Sequence, residues 1–173
     1  GAHYRLQFLY RDVATNDPVD AGSQSVIFAG AQTLAPTLSS PVGFVPENFD
    51  IDMFLPEDAL ATTLRLIIDT VSGSEDVSDS VTTRTVELDV TVAGAAGSHL
   101  ITMSTLSTAT NLAAVTSVTP DTDLVDGAKY DFILKYQDRG GNDFAQVVQA
   151  GVGFAGENTL TQTFRLPAAN SYL

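Results

Sequence analysis

The chain of 173 residues sets 8 Lys+Arg against 21 Asp+Glu, a formal net charge of −13, and 44% of it is apolar, too much for a disordered acidic tail. With Lys129 and Lys135 as its two lysines it has no basic stripe for phosphates, which argues against nucleic acid and an anionic membrane surface as partners. It has no cysteine, hence no disulfide, thiolate metal site or cysteine nucleophile, and no apolar run near the ~20 residues of a membrane helix, so no membrane insertion is expected.

The opening Gly1-Ala2-His3 has neither an initiator Met nor a signal-peptide pattern and reads as a mature, processed or excised start. From Tyr4 to Arg11 the residues Tyr4, Leu6, Phe8 and Tyr10 share one face, the two-residue period of a half-buried strand. Ser25 to Ala29 and Thr33 to Leu38 are further strand candidates. Alternation recurs at Phe49-Ile51-Met53-Leu55 against Asp50 and Asp52, at Leu64-Leu66-Ile68 against Arg65 and Asp69, and at Val86-Leu88-Val90-Val92 against Glu87, Asp89 and Thr91. Ser98 to Met103 is the next strand, and the Ser/Thr-rich stretch Thr102 to Thr119 reads as a strand end followed by a polar loop. Tyr130, Phe132, Leu134 and Tyr136 repeat the opening pattern, with Gly151 to Ala155 and Thr159 to Leu166 closing the series. Turn clusters such as Ser72-Gly73-Ser74 and Arg139-Gly140-Gly141-Asn142 punctuate these runs, and Pro56 to Thr62 and Ser104 to Ala114 alone suit a short helical turn. About seven short strands without a long helical period predict an all-β, antiparallel β-sandwich.

Shifting the sequence by 126 positions aligns it with itself. Gly1-Ala2, Tyr4 and Tyr10 fall on Gly127-Ala128, Tyr130 and Tyr136; Asn16-Asp17 on Asn142-Asp143; Val26 on Val152; Phe28-Ala29-Gly30 on Phe154-Ala155-Gly156; Thr33-Leu34 on Thr159-Leu160; Pro41 on Pro167. Residues 1–41 hold 15 identities in one gapless register, so 1–41 read as the C-terminal part of a preceding unit and 42–173 as a nearly complete one. Two similar hairpins arising within one larger domain is the alternative.

The run Leu124-Val125-Asp126-Gly127-Ala128-Lys129-Tyr130, followed by Tyr136-Gln137-Asp138-Arg139-Gly140-Gly141-Asn142, resembles the penultimate strand of immunoglobulin-like or fibronectin-III-like repeats in large surface and adhesion proteins. Gly127 permits a positive φ before the strand, Tyr130 caps the sheet corner, and Asp138 with Asn142 closes the following turn by side-chain hydrogen bonds. The stretch from Phe44-Val45-Pro46-Glu47-Asn48-Phe49 to Leu55-Pro56-Glu57-Asp58-Ala59-Leu60 is similar to unit starts in tandem-repeat extracellular proteins of microalgae and other microbes. The resemblance implies an Ig-like sandwich at the cell surface or outside the cell and says little about a ligand. The N-terminal copy departs from it at Ala14 and Thr15, where the second has Gly140 and Gly141.

Neither His3 nor His99 lies in a catalytic or metal-binding motif, and Glu57-Asp58 and Glu75-Asp76 lack an aromatic sugar platform, so no enzyme is expected. Calcium is the one cofactor the composition admits, on the loops of Asp121, Asp123 and Asp126, of Asp138, Asn142 and Asp143, and of Glu75, Asp76 and Asp79. None of these loops matches an EF-hand. The leading expectation is a structural repeat of an extracellular filament, fibre or stalk, assembling head to tail with other copies or adjoining repeats through Tyr4, Leu6, Phe8, Tyr10, Val26 and Phe28. The alternative is an adhesive module gripping a glycan or protein, with or without calcium.

Overall fold

In a computed structural model that describes residues 2–11, 14, 17–28, 32–71 and 79–155, the chain is all-β. β1 (Ala2–Tyr10) and β2 (Val19–Phe28) form a two-stranded antiparallel sheet. β3 (Thr37–Ser40), β5 (Phe49–Leu55) and β8 (Gly97–Met103) form a second sheet in the order β3-β5-β8. β4 (Phe44–Val45), β6 (Arg65–Thr70), β7 (Thr83–Leu88), β9 (Val115–Thr119), β10 (Lys129–Tyr136) and β11 (Ala145–Phe154) build a third, in the order β4-β11-β10-β6-β7-β9. Among the described residues every strand pairing is antiparallel except that of β4 with β11.

Strict alternation builds the core. Ile51, Met53 and Leu55 of β5, Leu66 and Ile68 of β6, Val86 and Leu88 of β7, and Phe132 and Leu134 of β10 all point inward, so both larger sheets feed one apolar cluster. Phe49 of β5 meets Phe132 of β10 edge to face, ring centres 5.7 Å apart.

The expected strand Val86 to Val92 stops at Leu88. Asp89 takes an extended conformation, its carboxylate accepts the Thr91 amide, and the chain enters a four-residue helix α1 (Val90–Ala93) that ends at Gly94. A capping side chain overrides the period of two. Within Ser104 to Ala114 a 3-10 helix forms at Leu106–Asn111, whereas Pro56 to Thr62 makes turns, with Thr62 at φ 66°. The Ser/Thr-rich stretch read as a loop ends in β9, which pairs with β7.

Arg84 is 1% exposed, on the inward parity of Val86 and Leu88. Its Nη2 lies 2.7 Å from the Asp79 carboxylate and donates to the Asp123 carbonyl at 2.9 Å, and its Nε donates to the Thr122 carbonyl at 2.8 Å. The Tyr130 hydroxyl donates to the same Asp79 carboxylate at 2.7 Å and accepts the Val125 amide at 2.8 Å, which fixes the corner entering β10. Gly127, at φ 83°, makes the turn before it.

Candidate assembly surface

The β1–β2 hairpin exposes Tyr4, Leu6, Phe8, Leu9, Tyr10, Val19 and Val26 to solvent. Straight alternation along β1 places Tyr4, Leu6, Phe8 and Tyr10 on one face and Arg5, Gln7 and Leu9 on the other. Tyr4 pairs with Val26 and Tyr10 with Val19. A bulge on β2 between these pairs uses Gly22 at φ 117°, whose amide donates to Asp20 at 2.8 Å.

At the shift of 126, Tyr4–Val26 becomes Tyr130–Val152 and Tyr10–Val19 becomes Tyr136–Ala145, and both are observed pairs of β10 with β11. β2 and β11 begin and end 126 positions apart. The bulges differ in place: in the second hairpin the positive-φ residue is Gly151, whose amide donates to Asp131. The surroundings differ more. Tyr130, Phe132, Leu134 and Tyr136 are 0% exposed, whereas Tyr4, Leu6, Phe8 and Tyr10 are 54%, 49%, 70% and 59% exposed. β10 lies between β11 and β6 with its inward face against the other sheet, where Phe49 meets Phe132, while β1 has β2 on one edge and, among the described residues, no strand on the other. Val26 is also exposed, and the side chain of Phe28 lies outside what is described.

Residues 33–40, expected to travel with the hairpin as part of 1–41, pack with the larger body. β3 pairs with β5, and Leu38 is buried. The Tyr136 hydroxyl donates to the Leu34 carbonyl at 2.8 Å, the Asp138 amide to Thr33 Oγ1 at 3.2 Å, and the Leu34 amide to the Glu57 carboxylate at 3.0 Å. Sequence reading did not single out this anchor, although Thr33-Leu34 recurs as Thr159-Leu160. The expected copy strand Thr159 to Leu166 lies outside the described residues.

Asp138 and Asp123 are occupied with local work. Asp138 is buried and accepts both the amide and the side-chain Nδ2 of Asn142, the turn lock expected from their spacing. Asp123 accepts the Ser107 amide and hydroxyl at the start of the 3-10 helix. Asp121, Asp126 and Asp143 are exposed, and Glu75 and Asp76 lie outside the described residues. Among the described residues no group of three His, Cys, Asp or Glu side chains gathers in metal-binding fashion. A cavity of about 180 Å³ is lined by Phe49, Leu106, Leu124 and Phe154 with the carboxylates Glu47, Asp123 and Asp126. His99 donates from Nε2 to the Ala95 carbonyl at 2.7 Å, and the side chain of His3 lies outside what is described. No helix among the described residues is long and apolar enough to cross a membrane. Compared with known proteins, the chain matches no protein-family model and no curated protein.

Proposed function

We propose that the chain is a stretch of a tandem array of immunoglobulin-like β-sandwich units, serving as structural material of an extracellular filament, fibre or cell-surface stalk, with no reaction of its own. The two hairpins, matched strand for strand at a shift of 126 and opposite in burial, carry this reading. β1–β2 is then the last hairpin of one unit, and residues 32–155 are the next. This moves the boundary from residue 41 to the segment between Phe28 and Thr33, since Thr33 and Leu34 are anchored in the second unit.

The immunoglobulin-like assignment is supported by the order β3-β5-β8 beside β4-β11-β10-β6-β7-β9, in which the first strand region contributes β3 to one sheet and β4 to the other, with β9 an addition at the edge beside β7. It is also supported by the Tyr130 hydroxyl bound to the Val125 amide, the tyrosine-corner arrangement of such sandwiches. Assembly then proceeds head to tail through strands packed between adjoining units. Electron microscopy of the native material tests the proposal: threads with a constant axial repeat are expected, and compact particles without one overturn it. A glycan array read with and without calcium separates this from the adhesive alternative, which requires binding.

A further inference from the structure

We infer that the β1–β2 hairpin is an interaction surface that receives a strand of the β6 type from an adjoining repeat unit, paired along the edge of β1 that no described strand occupies, with its apolar side chains beside Leu6 and Phe8. This rests on the tandem-unit reading above. The matching hairpin shows what such a surface holds. β6 runs antiparallel along β10, pairing Tyr130 with Thr70, Phe132 with Ile68, Leu134 with Leu66 and Lys135 with Arg65. At the shift of 126 the same strand pattern sets its threonine opposite Tyr4, its isoleucine opposite Leu6, its leucine opposite Phe8 and its arginine opposite Leu9.

Charge supports this occupant. The β10–β6 pairing places two like-charged pairs directly opposite one another, Asp131 with Asp69 and Lys135 with Arg65. β1 carries Arg5 in the position of Asp131 and Leu9 in the position of Lys135. Against a β6-type strand the first repulsion becomes an Arg–Asp attraction and the second disappears, and cross-strand pairs of this kind help fix a partner. The β6 of this chain is already paired on both edges, by β10 and β7, so the occupant comes from another unit.

The test places residues 32–126 ahead of Gly1 in the full chain, so that Asp126 is followed by Gly1 as it is by Gly127. Hydrogen exchange of the β1 amides is expected to slow by about 100-fold or more relative to the original chain, as local opening gives way to a cooperative unit. Two outcomes overturn the proposal: β1 exchanging as fast as before while the added strands are protected, and the added strands remaining unprotected together with β1. In the original chain, Leu6→Asp with Phe8→Asp is expected to leave the thermal midpoint of residues 32–155 unchanged and, in the extended chain, to abolish the slowing. A lowered midpoint in the original chain overturns the proposal by assigning the hairpin to its own body. If the extended chain folds but native material shows no axial repeat, the surface stands and the array reading fails.

Discussion

The guanidinium of Arg84 occupies an inward strand position and is held there by Asp79, two loop carbonyls and the ring of Tyr130, 5.9 Å from its centre. Burial pushes the Asp79 carboxyl up, but the Val81 amide, the Tyr130 hydroxyl and Arg84 outweigh it and hold the group below the ordinary carboxylate range. A carboxyl with a depressed folded-state value adds stability above its unfolded value, about 3.9, and loses it as pH falls through the folded one. Urea midpoints are therefore expected to drop below about pH 4, less steeply in Asp79→Asn. At neutral pH Asp79→Asn is expected to cost about 3–5 kcal/mol, because it leaves a buried cation without its counter-charge. A second residue carries backbone strain: Thr62, a β-branched residue, sits at φ 66° in an exposed turn. Thr62→Gly is expected to stabilise the protein by about 1 kcal/mol, read as a higher urea midpoint, and a lower midpoint would show that the hydroxyl bond to the Ala61 carbonyl outweighs the strain.

Among elements, the anchor of Thr33 and Leu34 offers a sharp test. Burial pushes the Tyr136 hydroxyl up to about 12, with the charges of Glu57 and Asp138 adding to it. A raised folded-state value gives stability that is present below the unfolded value of about 10 and is lost as pH rises through the folded one. Tyr136→Phe is expected to cost about 1 kcal/mol at neutral pH and to flatten the alkaline loss between about pH 10 and 12, measured by urea titration. The strands with clean alternation, β5, β6 and β10, were readable from sequence because burial on one face writes the period directly. β4 has two residues and β9 sets its two valines three positions apart among Ser and Thr, so neither showed a period of two, and Asp89 broke a period that the apolar pattern alone extended to Val92. The apolar face of the hairpin was visible as Tyr4, Leu6, Phe8 and Tyr10, and its exposure was legible too, because the repeat at a shift of 126 gives residues 1–41 the closing strands of a unit without the earlier strands that would cover them. Arg84 gave one signal that passed unnoticed, its parity with Val86 and Leu88.

For the whole molecule, the two hairpins differ in environment far more than in pattern. An isolated two-stranded hairpin is marginal in water, whereas β10–β11 is embedded in a six-stranded sheet. In the full chain the amides of β1 and β2 are expected to exchange at least about 1,000-fold faster than those of β10, and equal rates would show that the hairpin is packed on the body. The parallel pairing of β4 with β11 has a mechanical consequence. The Gly153 amide donates to the Gly43 carbonyl at 2.8 Å and the Ala155 amide to the Val45 carbonyl at 2.9 Å, binding the entering segment of the unit to the departing one. Once the Thr33–Leu34 anchor and β3 have given way, tension along an array would draw β4 from its N-terminal end and β11 from its C-terminal end, loading both bonds together in shear instead of peeling them one by one. Each unit would thus hold its length until this clasp ruptures, then yield abruptly, giving a thread of such units the behaviour of a chain of force-limited links.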